Sequence, residues 1–253
     1  MLNGIFENLV AGIIGSLLGF LAKLGFDHFQ KIRKSRSIID FFNLKKGKVA
    51  IIHSAIFDSE RGVYNYPASD TRATRMISKT LESVDLREGQ DFIITPDMEF
   101  INHDGSLRPK LMDFNIVLTC APKRNKVTEE ILSAYPKVRY RLSFDPSTHK
   151  NLLYDSYTNN YFVPSRDIPN SIDNKTGYDF GLIMAASSPL NPAKHIVILA
   201  GIHGSGTIGA AMAVSNSQKL QELCSKRVGG IIQAVVRAEY QDDYDNVVDI
   251  SLV

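Results

Sequence analysis

The sequence predicts an α/β layered domain with a largely parallel central sheet, and three observations carry that prediction. Apolar runs of strand length, such as Val49 to His53, Asn115 to Cys120 and His195 to Ala200, alternate with segments of helical periodicity. These runs are unbroken rather than alternating, as expected of strands covered by helices on both faces. The 253 residues are 44% hydrophobic and 22% charged, a globular balance, and their number suits one sizeable domain with an appendage.

The appendage comes first. Ile5 to Phe26 is mostly Leu, Ile, Val, Phe, Ala and Gly, with no charge from Asn8 to Ala22. Those 22 residues reach about 33 Å as a helix, enough for a hydrocarbon core of about 30 Å with Glu7 and Lys23 at its borders. The expectation is a transmembrane helix over about 5–26, within an anchor and basic juxtamembrane segment covering residues 1–44. A soluble or interfacial helix is the competing reading, since the strictly uncharged part is shorter than a customary span. A secretory signal would carry its basic cluster before the apolar run, whereas Lys31, Arg33, Lys34 and Arg36 follow it. That order places the body in the cytoplasm. Gly12 with Ser16 and Gly15 with Gly19 form small-xxx-small pairs that let helix backbones approach, so a homo-oligomer is expected.

The body spans residues 45–253 and opens with a basic linker, Lys45 to Lys48, before the first strand. After a polar stretch, Ser69 or Asp70 can cap a helix whose apolar face is Ala73, Met76, Ile77, Leu81 and Val84. Asp91 to Thr95 and Asn115 to Cys120 read as strands, separated by a turn-rich stretch with Asp104, Gly105 and Pro109. Lys126 to Tyr135 reads as a short helix started by Asn125 or Thr128. Arg139 to Phe144 and Leu152 to Val163, rich in Tyr, Phe and Val, read as a β-hairpin inserted in the sheet layer. Strands follow at Phe180 to Ala185, His195 to Ala200, Gly230 to Arg237 and Val247 to Leu252, with helices near Ala210 to Val214 and Ser217 to Lys226.

Charge and cysteine usage narrow the function classes. The net charge of +2 is uneven: Lys23 to Lys48 holds eight basic residues against two acids, and residues 49–253 hold 21 against 24. A mildly acidic body argues against a nucleic-acid partner. Cys120 and Cys224 form neither a disulfide framework nor a metal-ligand pattern, so no metal or required cofactor is expected, and Cys120 reads as a small buried hydrophobe.

The motif richest in chemistry follows the strongest strand. In the run Gly201, Ile202, His203, Gly204, Ser205, Gly206, Thr207, Ile208, Gly209, the residues Gly204, Gly206 and Gly209 satisfy G-x-G-x-x-G between a strand and a helix. Side-chain-free residues allow a tight turn and close backbone approach to phosphate, and the helix start favours negative charge. Ser205 and Thr207 offer hydroxyls, and His203 offers a ligand contact or a base. The competing reading is that these glycines only permit close packing. No lysine precedes Thr207, so a Walker A loop loses its usual cation, and the nearest acid at a strand end is Glu239, which can hold a ribose hydroxyl but reads more simply as a solvated strand-end acid. Asp179, Phe180 and Gly181 spell a kinase triplet in the wrong order for a kinase, a chance match.

Gly204, Ser205, Gly206 and Thr207 resemble the G-x-G-T core of the "lonely guy" phosphoribohydrolases and of the related nucleotide-sensing domains grouped as SLOG. The resemblance covers the glycine run and the α/β alternation, about a third of the chain. It implies a Rossmann-like domain cradling a nucleotide phosphate, with an NAD-derived compound among the candidate ligands. The enzymes of the family carry a glutamate after the motif; Gly209 and Ala210 stand there in this chain, which speaks for binding without hydrolysis. SLOG domains joined to transmembrane helices occur in bacterial anti-phage systems, so the resemblance also implies an effector in the bacterial inner membrane.

A second cluster leaves a strand end: Lys123 and Arg124 can neutralise phosphate and Asn125 can orient a base or ribose, although exposed turn cations are ordinarily just solvated. The connection holding Ser54, Tyr64, Ser69, Asp70 and Arg72 is a weaker third candidate. The function expected is a membrane-anchored sensor and effector whose nucleotide ligand drives oligomerisation and perturbs the bilayer. The alternative is a membrane-tethered nucleoside or nucleotide N-glycosidic hydrolase using His203 or an acid such as Glu99.

Overall fold

The computed structural model describes residues 19–26, 29, 32–168 and 176–253. Its centre is a seven-stranded sheet in the order β12-β11-β9-β10-β5-β1-β4. The strands are β1 (Val49–His53), β4 (Phe92–Pro96), β5 (Asn115–Leu118), β9 (Thr176–Ser187), β10 (His195–Gly201), β11 (Ile232–Gln241) and β12 (Val247–Leu252). Half of it is parallel, pairing β4 with β1, β1 with β5 and β5 with β10. From β10 onward the pairings with β9, β11 and β12 are antiparallel. The sheet is therefore mixed, because β9 reaches β10 through a short turn and has no room for a crossover helix.

Side-chain alternation builds two cores. Val49, Ile51, Val117, Val197 and Leu199 face one side, where they meet α2 (Ala68–Glu82), α4 (Gly204–Ser215) and α5 (Ser217–Ser225). Ala50, Ile52, Ile116, Leu118, Ile196 and Ile198 face the other, against α3 (Lys126–Ser133) and a second sheet. That second sheet corrects the expected inserted hairpin. It is a separate layer of three strands, β6 (Tyr140–Asp145), β7 (Lys150–Asp155) and β8 (Asn160–Phe162). Its apolar residues Tyr140, Leu142 and Leu153 belong to the second core, and the chain breaks between β7 and β8 at Asn159, which has φ 57°. The polar stretch after β1 also holds a small hairpin, β2 (Ile56–Asp58) with β3 (Val63–Asn65).

Residues 19–26 and 32–42 are helical, and we denote the latter α1. Ile38, Phe41 and Phe42 are buried in the first core, so the body begins at Ile38, upstream of the expected boundary at residue 45. Two side chains from the start of the sheet hold this segment. The His195 ring donates through Nε2 to the Phe41 carbonyl (3.0 Å), and Asn115 donates to the Asn43 and Gly47 carbonyls (3.3 and 3.4 Å). Among the described residues no helix is long and apolar enough to cross a membrane. Residues 5–18 of the expected span, with Gly12, Gly15 and Ser16, lie outside the described residues.

Candidate functional site

The chain leaves β1 and β5 in opposite directions. After β1 it crosses through α2 on the first face to β4; after β5 it enters α3 on the second face on its way to β10. The carboxyl ends of β1 and β5 are thus a topological switch point, where open α/β sheets bind ligands. A cleft of about 360 Å³ lies there. Its walls are the first turn of α2 (Ser69, Asp70), the turn before α3 (Lys123, Arg124), the β6–β7 turn with Lys150, the 3-10 turn with Arg166 and Asp167, and the turn from Gly201 to Gly204. A groove of about 510 Å³ along α2 is larger, but its lining sets two cations, Arg75 and Lys79, against two acids, Glu82 and Glu88, and includes no turn after β5 or β10.

Six of the expected residues meet in the cleft: Gly201, His203, Gly204, Thr207, Lys123 and Arg124. The other four stand behind its walls, each for a local reason. Asn125 caps α3, its Oδ1 accepting from the Thr128 amide (2.8 Å). Ser205 donates its hydroxyl to the Tyr244 carbonyl. Gly206 and Gly209 are internal to α4, which begins at Gly204 and not near Ala210 as expected. At Gly209 an added Cβ would come within 2.5 Å of the Ala238 Cβ, and at Gly206 it would strike the Phe180 carbonyl. Those two glycines serve close packing of α4 on the sheet.

The amide of Gly206 is also occupied. Asp179 of β9 is fully buried, and its carboxylate accepts from the amides of Gly206 (2.6 Å), His203 (3.2 Å) and Phe180 (2.7 Å). A buried carboxyl of the protein thus holds part of the α4 start, the place the sequence suggests for phosphate, and burial pushes that Asp179 group above its ordinary range despite these bonds. The amides of Gly204 and Ser205 have no protein acceptor among the described residues. Thr207 accepts from the Gly201 amide (2.9 Å) and so ties the strand end to the helix.

His203 and Asp167 form a dyad. Nε2 lies 2.8 Å from the carboxylate, whose other oxygen accepts from Lys150 Nζ (3.0 Å). Because a carboxylate only accepts, Nε2 carries the hydrogen of this bond. Partial burial pushes the Asp167 carboxyl up, but the bonds and charges of His203 and Lys150 prevail and hold it below its ordinary range. Asp70 moves the other way. Burial raises it to about 6, against the charge of Arg124 and the hydroxyl of Ser69. Cys120 is fully buried, and burial pushes its thiol far above its ordinary range, which suits a core residue and not a nucleophile.

Asp167, Arg166, Lys150 and the brace Asn151 carry no motif that a single sequence displays. Asn151 accepts from the Lys123 amide (3.1 Å) and donates to the Ile202 carbonyl (3.0 Å), stitching two walls together. Glu99, the acid expected in the hydrolase reading, is exposed in a 3-10 turn and does not line the cleft. Among the described residues no group of three His, Cys, Asp or Glu is placed to hold a metal ion. In comparisons with known proteins, no family model matches this chain and no curated protein is significantly similar to it.

Proposed function

We propose that this chain is a membrane-anchored receptor whose strand-end cleft binds a phosphate-bearing nucleotide, an NAD-derived compound among the candidates. The observation that carries the reading is electrostatic. Lys123, Arg124, Lys150 and Arg166 line the cleft against two carboxyls, Asp70 and Asp167, and the starts of α2, α3 and α4 meet at the same sheet edge. Cations and helix starts together favour a polyanion, and the carboxylates can take ribose hydroxyls. The resemblance to SLOG domains supports a nucleotide in particular. On this reading, binding draws bodies into an oligomer and brings the anchoring segments together in the bacterial inner membrane.

The test is dye release from liposomes holding the full chain, with nucleoside monophosphates, NAD and its cleavage products as probes. Release on addition of a probe, lost in Lys123→Ala/Arg124→Ala, supports the receptor; release indifferent to probe and to variant sinks it.

A second reading has its own observation. Asp70 and Asp167 line one cleft with their acidities displaced in opposite directions, the pattern of an acid and an ionised partner in glycosidic cleavage. As an N-glycosidic hydrolase the protein would add water at the ribose anomeric carbon of a bound nucleotide as the bond to the base breaks, with Asp70 giving its proton to the leaving nitrogen. Chromatography of the probes after incubation separates the two readings: base release favours the enzyme, and intact probe favours the receptor.

A further inference from the structure

We infer that the edge of the body opposite the cleft carries its own membrane-contact surface, in which Val228 and Tyr157 enter the headgroup region of an anionic bilayer and Lys137, Arg139 and Lys226 meet its phosphates. The inference rests on the membrane anchoring proposed above and adds a contact that the anchor does not supply.

The placement follows from strand direction. β11 runs parallel in sense to β10 through two antiparallel steps, and Ile232 stands level with Ala185, which pairs with Val197 near the start of β10. The start of β11 therefore lies at the amino edge of the sheet. α1 docks at that same edge through His195 and Asn115, at the starts of β10 and β5. Leu220 and Leu223 of α5 share the first core with Ile38, Phe41 and Phe42 of α1, so both helices pack on one face of the sheet. The chain thus enters the body at the pole where the Val228 surface is found.

The surface itself has the composition of an interfacial contact. A groove of about 730 Å³ lies between the start of β6, the end of α5 and the start of β11. Val228 is 79% exposed at its rim, and Tyr157 is 77% exposed. Val228 is held rigidly. It exchanges both backbone hydrogen bonds with Ile231 across Gly229 and Gly230 (2.9 and 3.0 Å), whose φ of 58° and 83° make a tight hairpin turn. A β-branched apolar side chain fixed in water by such a turn loses hydration cost on entering a bilayer interface, and an exposed tyrosine is suited to the same depth. The cations flank these two side chains. Arg139 is paired with Asp155 (2.7 Å) and lies over the Tyr140 and Tyr157 rings, and Lys226 is paired with Glu222 (3.2 Å). Lys137 adds a third positive charge to the groove lining against the two carboxylates Asp155 and Glu222, so the rim keeps one positive charge in excess for anionic lipid.

Hydrogen exchange of the full chain in nanodiscs tests this, with phosphatidylcholine alone or rich in phosphatidylglycerol. The expected result is exchange of residues 226–233 slowed roughly tenfold in the anionic discs, with the slowing lost in phosphatidylcholine and in Val228→Glu and Lys226→Glu. Protein that stays with the discs yet exchanges this segment equally in both lipids overturns the inference and leaves the anchor standing. Protein that joins neither disc overturns the anchor and the inference together. Slowing in detergent that grows with protein concentration assigns the surface to a second copy and also overturns it.

Discussion

A carboxyl that keeps its proton up to about pH 6 weakens the fold once it ionises, and Asp70 is such a group. From its ordinary value of 3.8 up to about 6 the unfolded chain releases this proton while the folded chain retains it. Stability therefore falls as pH rises through that window and stays lower above it. Asp70→Asn should be stabilising at about pH 8 by up to about 3 kcal/mol, and neutral below about pH 4. Urea unfolding at the two pH values checks this, and a variant weakened at high pH would contradict it. Burial raises Asp179 as well, so its ionisation costs stability in the same sense, but replacing it removes an acceptor, because its carboxyl accepts three amides at the α4 start. An asparagine there turns an NH₂ toward those donors, and Asp179→Asn should lose about 2–4 kcal/mol in the same assay. The glycine run and the Lys123–Arg124 pair of the cleft were legible in the sequence because each carries a local pattern. Asp179 and Asp167 were not, since their partners lie 24 to 27 and 36 residues onward and only the sheet brings them together.

At the scale of elements, α4 is set by closeness more than by polarity. Nine of its twelve residues are buried, from Ser205 to Val214, so it needs small residues wherever it meets the sheet. Gly209 lies on Ala238 of β11. In an exposed helix Gly→Ala would gain about 1 kcal/mol, but Gly209→Ala should instead lose about 1–3 kcal/mol by forcing α4 off the sheet. Ala238→Gly should restore much of that loss in the double variant; additive losses in denaturant midpoints would refute the contact. The same helix shows where sequence periodicity misleads. The sequence places its start near Ala210 because Gly204, Gly206 and Gly209 read as loop, yet burial between α2 and the sheet overrides their low helix propensity. Strands buried on both faces, β1, β5 and β10, were legible as apolar runs. The antiparallel half and the separate β6–β8 layer were not, because strand order and direction are set by contacts distant in sequence.

For the whole molecule the two poles of the sheet are built differently. α1 docks at the amino edge, and the cleft opens at the carboxyl edge, so a protein anchored through its first residues presents the cleft to the aqueous phase. Cysteine introduced at Thr148 on the cleft rim should react with a water-soluble maleimide equally in detergent and in vesicles. Cysteine at Val228 should be protected in anionic vesicles, and the reverse pattern would invert the orientation. Nucleotide binding by the cleft remains the proposition on which receptor, oligomer and effector all depend. Calorimetric titration of nucleoside monophosphates and NAD-derived phosphates into the full chain, beside Arg124→Ala and Arg166→Ala, measures it directly. Saturable binding to the parent chain, weakened about tenfold or more in each variant, is the result predicted. No heat from any probe, or an affinity that neither variant changes, would contradict it.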